Sequence, residues 1–279
     1  MRGAEYSARP LCDTSAMTIV LIAIALYLAA TAWLVTAVQG DDATASRGWL
    51  LPAGLAVVLH AGAHGMSWRA SGVTDLHFFA ALSLVGLGMA MLTAVVGAFG
   101  RMRALGVLVF PLAALVLLAY GLYGHATKPE PLDWRLLLHA WLALLAYATL
   151  AIAALLAIFL LLQERTLRRR EFHAWLRPLP PLTELDTLLF RTIGVGFVLL
   201  GGALLTGVLF VDDLLAQHLM HKTVLSVLSW LAFGSLLLGR WRYGWRGATA
   251  ARWALVAMVL LALAFFGSKF VLELVLHRE

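Results

Sequence analysis

The sequence predicts an all-α, polytopic membrane protein built as a bundle of eight transmembrane helices. Of its 279 residues, 62% are hydrophobic and only 13% are charged, whereas soluble domains carry about 25% charged residues. The apolar residues form long runs, and about 20 such residues are enough for a helix to cross a bilayer. Because only helices and closed barrels satisfy the backbone in lipid, runs so rich in Ala and Leu indicate helices.

Eight apolar runs define the expected helices, and short polar loops separate them. The predicted spans are Met17–Val38, Leu50–Met66, Leu76–Phe99, Leu105–Tyr123, Leu136–Gln163, Leu188–Val211, Thr223–Gly239 and Trp253–Leu276. Residues 1–16 form a polar N-terminal tail, and residues 17–279 form a single eight-helix transmembrane domain. The first run lacks a small-residue cleavage site, so we interpret it as a retained helix.

The positions of the basic residues indicate how the bundle is oriented. The first, third, fifth and seventh loops hold twelve arginines, many of them in the run RTLRRREFHAWLRP at 165–178, whereas the opposite side holds seven basic residues. Cytoplasmic loops carry the excess of Lys and Arg, so we predict both termini on the outer, periplasmic side of a bacterial inner membrane. The net charge of +6 therefore reflects membrane anchoring, and we expect no nucleic-acid partner.

On this topology, eight of the nine histidines fall on the outer side, and only His173 is cytoplasmic. A neutral imidazole nitrogen is a common ligand of metals and of heme iron. His139 opens the fifth helix and His277 ends the eighth, so they could bind one iron from opposite sides. His60 and His64 share one face of the second helix and could flank the site or line a groove leading to it. The plainer interpretation is that these are interfacial side chains solvated by lipid headgroups.

Two further polar groups lie near the predicted outer surface. The loop between the sixth and seventh helices carries acids, histidines and a lysine, which we expect to shape the mouth of the site: Asp212, Asp213, His218, His221 and Lys222. On the last helix, Lys269 and Glu273 form a polar stripe that leads to His277. Ionisable groups inside a membrane usually face the protein interior. Lys269 and Glu273 either neutralise each other as an ion pair or lead towards a bound ligand.

Three segments carry a family resemblance. They are LHAWLALLAYATLAIAALLAIFLLLQE at 138–164, LDTLLFRTIGVGFVLLGGALLTGVLF at 185–210 and SWLAFGSLLLGRWRYGWRG at 229–247. In sequence order these segments contain a histidine at the start of the fifth helix, the pattern LD…R…GF in the sixth helix and an arginine at the end of the seventh. A histidine at the end of the eighth helix follows them. This pattern resembles the cytochrome c assembly (CcsA/HemX-like) membrane proteins, and within them the YpjD-type inner-membrane branch. The resemblance covers 136–277, and the first four helices more faintly.

The resemblance implies a protein that binds or handles heme at its outer face for cytochrome c biogenesis. His139 and His277 match the heme-ligating histidines, and His60 loosely matches a histidine of the second helix. The family's tryptophan-rich loop has a WDPKE core. Here LMHKTV stands in its place and keeps only Lys222, while Leu238 replaces a further histidine. We therefore expect heme binding without synthetase activity, and no enzyme, since hydrolase, NTPase and redox motifs are absent.

The implied partners are the lipid bilayer, heme and apocytochrome c or other membrane assembly factors. Two alternatives remain open from the residues. The chain could be an accessory or regulatory subunit of another membrane protein, without heme chemistry. It could also carry a small solute or ion along a path formed by His60, Lys269 and Glu273.

The arginine bias makes the orientation testable. We expect Trp175 to be cytoplasmic and Gln217 to be periplasmic, because the basic loops stay inside. A reporter enzyme that is active only in the periplasm should be inactive when fused after His173 and active when fused after Gln217. The opposite pattern of activities would reverse the orientation and place most of the histidines on the cytoplasmic side.

Overall fold

The computed structural model of the chain describes residues 14–39, 47–73, 75–99, 103–123, 133–169, 181–210, 217–267 and 269–270. Eight long helices make up most of these ranges: α1 Thr14–Gln39, α2 Leu50–Ser71, α3 Phe78–Ala98, α4 Arg103–Tyr123, α5 Trp134–Arg169, α6 Leu182–Phe210, α7 Gln217–Tyr243 and α8 Gly247–Ala262. A 3₁₀ turn, Arg47–Trp49, precedes α2, and a π-helical turn, Leu263–Gly267, continues α8. In these described ranges, eight segments are long and apolar enough to cross a membrane. The predicted fold class is confirmed.

Several helices differ in extent from the apolar runs that predicted them, and α5 and α8 show two kinds of difference. The run of the fifth helix ends at Gln163, but α5 continues to Arg169. There, Arg168 donates to Glu164 one turn earlier over 2.7 Å, an i,i+4 pair that favours helix. The last run predicted one continuous helix, whereas the α-helical hydrogen bonding ends at Ala262 and a π turn follows. Composition does not reveal such a change in hydrogen-bond pattern.

The helices pack as two groups that meet along α3 and α5. Helices α1 to α4 pack on one another, as do α5 to α8, and the contact of α3 with α5 joins the groups. Small residues allow this close approach. A Cβ atom added at Gly88 of α3 would lie only 2.8 Å from the Cβ of Ala148 on α5. On the other side of α5, a Cβ at Gly196 of α6 would lie 2.5 Å from Leu150.

Contacts between helix termini define two ends of the bundle. At one end, Lys269 beyond α8 donates to the carbonyl of Leu76 before α3, and the start of α5 contacts the last turns of α6. We call this the histidine end. At the opposite end, the starts of α6 and α8 meet the last turn of α7, and we call this the arginine end. Which membrane side each end faces remains the prediction drawn from the arginines.

A single ion pair joins three helices at the arginine end. Arg240 of α7 donates through Nη1 to Oδ2 of Asp186 on α6 over 2.6 Å. The other carboxylate oxygen, Oδ1, accepts the backbone N–H of Gly247 at the start of α8 over 3.0 Å. Arg240 also donates to the carbonyl of Trp245, and its guanidinium lies 4.5 Å from the centre of the Phe190 ring. Asp186 and Arg240 are two members of the ordered motif noted in the sequence.

The Asp186–Arg240 pair should be energetically coupled. Removing one partner leaves the other charge uncompensated in a site where Asp186 is 10% exposed and Arg240 is 26% exposed. We expect Asp186→Leu or Arg240→Leu to lower the free energy of unfolding by about 2–3 kcal/mol, below the cost for a fully buried pair because Arg240 reaches water. The double variant should lose less than the sum of the two. Thermal unfolding of the wild type, the two single variants and the double variant in detergent measures this double-mutant cycle.

The control is Arg168→Ala, which breaks an i,i+4 pair whose arginine is 77% exposed. Such exposed pairs contribute less than about 1 kcal/mol, so its melting temperature should stay close to that of the wild type. Additive losses in the Asp186 and Arg240 cycle would show that these two charges are independent.

Candidate functional site

The structure places the predicted histidines in two separate regions of the histidine end. His139 of α5 contacts α6, whereas Trp141, two residues later, lines a cavity together with His64 of α2. Positions two apart on an α-helix point about 200° apart around its axis. His139 and the pair of His60 and His64 therefore belong to different faces of α5, and the described residues do not bring them into one site.

His139 is held in one tautomer by the backbone of α6. Its Nδ1 lies 2.8 Å from the carbonyl oxygen of Ala203 and 3.3 Å from the hydroxyl of Thr206. A carbonyl oxygen only accepts, so Nδ1 carries the proton and Nε2 keeps its lone pair. No described residue forms a hydrogen bond with Nε2. Metal-binding histidines typically show this arrangement, with one nitrogen donating to a carbonyl and the other free for the metal.

The sequence of α6 makes room for this imidazole. A Cβ atom at Gly207 would lie 3.2 Å from Cε1 of His139, so a larger side chain would press on the ring. The Thr206 hydroxyl donates to the carbonyl of Gly202 over 2.9 Å. This hydrogen bond keeps the hydroxyl beside the imidazole ring without displacing the ring. Gly196 of the same helix allows close helix packing, whereas Gly207 shapes the position of His139.

Several predicted partners of His139 fall on residues whose placement is not described. Glu273, His277, Asp212 and Asp213 lie outside the described residues, and the side chain of His221 is not described either. Three features therefore stay predictions: the binding of one iron by His139 and His277, the polar mouth of the site, and the polar stripe of Lys269 and Glu273. One detail is corrected, because α7 begins at Gln217. His218, His221 and Lys222 belong to the first turns of that helix and not to a loop.

Lys269 is tied to the start of α3. Its Nζ donates to the carbonyl oxygen of Leu76 over 2.5 Å and lies 5.4 Å from the centre of the Phe265 ring. The backbone carbonyl and the aromatic face replace part of the hydration that the ammonium group loses inside the protein. Lys269 therefore links the end of the last helix to the segment before α3. Its predicted pairing with Glu273 stays untested.

His60 lies at the centre of a buried hydrogen-bonded network. Its side chain is fully buried, with Nδ1 3.2 Å from the hydroxyl of Tyr27 and Nε2 2.9 Å from the hydroxyl of Ser83. His64 reaches the same Ser83 hydroxyl through Nε2 over 3.0 Å. Ser83 has only one proton to donate, so at least one of the two histidines must donate to it. His60 thus has no nitrogen available to a ligand unless a hydrogen bond breaks.

A second polar pair lies between this network and the surface of the histidine end. Asp75 accepts a hydrogen bond from Nδ1 of His77 over 2.6 Å, and both side chains are largely buried. The Nε2 atom of His77 is buried and has no hydrogen-bond partner among the described residues. The ring of Tyr120 stacks between the two groups, 4.3 Å from the ring of His64 and 6.3 Å from that of His77.

A cavity of about 260 Å³ lies between the ends of α2, α3, α4 and α5. His64, Ser67, Asp75 and Tyr120 supply its polar atoms, and Trp141 is among its aromatic lining residues. The Tyr120 hydroxyl is directed at Ser67, but it makes no hydrogen bond of normal geometry with any described residue.

Towards the arginine end, the network is closed by aromatic side chains. The Tyr27 ring stacks on Phe110 with 5.9 Å between ring centres, and Phe110 in turn lies 5.9 Å from Trp49. All three side chains are at most 2% exposed. The polar region reached from the histidine end is therefore blind, which argues against the solute or ion path through His60.

Sequence reasoning missed several of these residues. Tyr27 and Ser83 are isolated polar residues in apolar runs, which is the signal that could have indicated a buried partner. The D-x-H spacing of Asp75 and His77 was also visible. Tyr120 gave no signal, because an aromatic residue near a span end is usually interfacial.

Comparisons with known proteins agree with this architecture. The model of the cytochrome c assembly protein family matches residues 14–276. The chain is 35% identical over 140 residues to the inner membrane protein YpjD of Escherichia coli strain K12, which covers 50% of this chain and 53% of that protein. It is 39% identical over 141 residues to a 28.8 kDa protein of Azospirillum brasilense, covering 50% and 52%. It is 27% identical over 155 residues to the cytochrome c biogenesis protein CcsA of Guillardia theta, covering 50% and 51%.

The matched stretch spans about half the length of these curated relatives. No solved structure matches the chain at a significant level. The family model, in contrast, extends over nearly all of the helices described above. The chain therefore belongs to the cytochrome c assembly protein family.

Proposed function

We propose that this protein binds heme at its histidine end, in the bacterial inner membrane, and handles it for cytochrome c biogenesis. The observation that carries the proposal is the hydrogen bond from Nδ1 of His139 to the carbonyl of Ala203. It leaves Nε2 as the atom that can bind iron. Among the relatives, CcsA is named a cytochrome c biogenesis protein and YpjD an inner membrane protein.

The residues around His139 fit heme in charge as well as in ligand type. Arg135 lies one turn before His139, on the same face of α5, and is more than half exposed. Its guanidinium lies 5.6 Å from the centre of the Trp134 ring and 5.9 Å from that of Phe210. A guanidinium held at this position suits the carboxylates of heme propionates. Heme would supply an iron that imidazole nitrogens can bind.

In this proposal His277 would hold the heme iron together with His139, with His221 and Lys222 at the rim. The packing of α8 against α5 supports this choice, because it brings the end of the last helix towards the start of α5. The chain's residues would bind and orient heme, and apocytochrome c or membrane assembly factors would be the partners.

Absorption spectra of the purified protein test the proposal. Detergent-purified wild type should show a Soret band after heme addition, and His139→Ala should abolish or shift it because one iron ligand is lost. Gly207→Val should weaken heme binding by roughly tenfold, since the added side chain presses on the imidazole. Thr206→Val should have little effect, because the bond to Ala203 remains.

His173→Ala provides a control from a histidine outside the proposed site. A spectrum of His139→Ala identical to that of the wild type would contradict the proposal. Stoichiometric copurification of another membrane protein, without a Soret band, would instead support the accessory-subunit function.

A further inference from the structure

The cavity between α2, α3, α4 and α5 is not explained by the proposed heme function. It lies on the face of α5 that carries Trp141, away from His139. Among the described residues that line it there is a carboxylate, Asp75, but no lysine or arginine. Heme propionates and lipid phosphates need cationic partners, so this lining does not suit them. The described residues also contain no cluster of metal ligands.

The walls of the cavity favour a planar ring. Trp68 and Trp141 lie on its outer side and are 54% and 43% exposed, so in a membrane they face lipid. Tyr120 forms part of the inner wall and is 1% exposed. Aromatic side chains in these positions can stack on a flat ring. Because these two lining residues are exposed, a ligand dissolved in the bilayer could reach the cavity on this side.

The polar atoms of the cavity favour a ring that carries oxygen atoms. The buried Tyr120 hydroxyl has no hydrogen-bond partner among the described residues, and an unpaired buried hydroxyl is costly. A carbonyl or hydroxyl oxygen on a ligand would satisfy it. Ser67 and His64 also line the cavity. A hydroxyl and an imidazole can each donate or accept a hydrogen bond, so both a ring carbonyl and a ring hydroxyl find complementary groups.

The size of the cavity limits the ligand to a small ring. At about 260 Å³ it lies just below the 300–1,000 Å³ that is typical of drug-sized ligands. We propose that this cavity binds the ring of a membrane-soluble quinone or quinol, with its tail leaving between Trp68 and Trp141 into the lipid. The blind end formed by Tyr27 and Phe110 then marks where the polar region of the cavity stops.

Two glycines of α2 offer a matched pair of variants. Gly65 lines the cavity, and a Cβ atom added there would meet no atom within 4 Å. A leucine at Gly65 would therefore fill the cavity without pressing on a neighbouring helix. Gly62 lies one turn earlier, is exposed and is likewise open, but it does not line the cavity. The same substitution at Gly62 controls for the loss of a glycine from this helix.

The test is saturation binding of radiolabelled menadione to the full chain in lipid nanodiscs, with empty nanodiscs as the background. Wild type should bind saturably. Gly65→Leu should weaken binding by roughly tenfold or more, and Gly62→Leu should change it by less than about twofold. His64→Leu should weaken it by roughly three- to tenfold, the effect of one hydrogen bond. If Gly65→Leu does not fold, Trp141→Ala at the exposed wall takes its place and should also weaken binding.

The outcomes separate this inference from the heme proposal. His139→Ala should keep menadione binding, and Gly65→Leu should keep the Soret band. Absence of saturable menadione binding to wild type, or equal losses in the two glycine variants, would overturn the quinone site. If heme displaces menadione and Gly65→Leu loses the Soret band, the cavity belongs to the heme site and the quinone inference is wrong.

Discussion

The close packing of α5 between α3 and α6 is the constraint on which the rest of the structure depends. Gly88 and Gly196 let the neighbouring helices approach Ala148 and Leu150 so closely that an added Cβ atom would force these groups to shift. Lipid offers no hydrophobic drive for helix association, so such van der Waals contact is a main source of stability. Because α5 is fixed on both sides, its two faces near the histidine end present His139 and Trp141 to different neighbours.

The polar residues of the bundle are arranged to pair inside the protein. A polar group that reached the hydrocarbon region without a partner would cost several kcal/mol. Tyr27, His60, Ser83 and His64 satisfy one another in the first helix group, and Tyr147 of α5 donates to the carbonyl of Leu261 in α8 over 2.7 Å. Buried polar atoms without a hydrogen-bond partner among the described residues include the Tyr120 hydroxyl and Nε2 of His77, which lie close to the cavity. They also include the Thr93 hydroxyl and Nε1 of Trp230, which do not line it.

The sequence predicted the fold better than the site, for physical reasons. The number of apolar runs gives the number of membrane spans directly, because the thickness of the bilayer sets the length of each run. The contacts between residues of different helices depend on how each helix is rotated about its own axis. Hydropathy does not show this rotation. His60 and His139 were therefore expected near one ligand, although α5 separates their surroundings. The spacing of His60 and His64 did predict a shared face, and both reach Ser83.

The family motif can be divided by what its members do in the structure. Asp186 and Arg240 form the ion pair that joins α6, α7 and α8 at the arginine end, so these two residues identify the fold rather than a chemical activity. His139 lies at the opposite end of α5, where its contact with Ala203 leaves one nitrogen for a ligand. A relative that keeps Asp186 and Arg240 but varies at the histidine end would keep the helix arrangement and change what is bound. The helix arrangement and the surroundings of His139 therefore depend on different members of the motif.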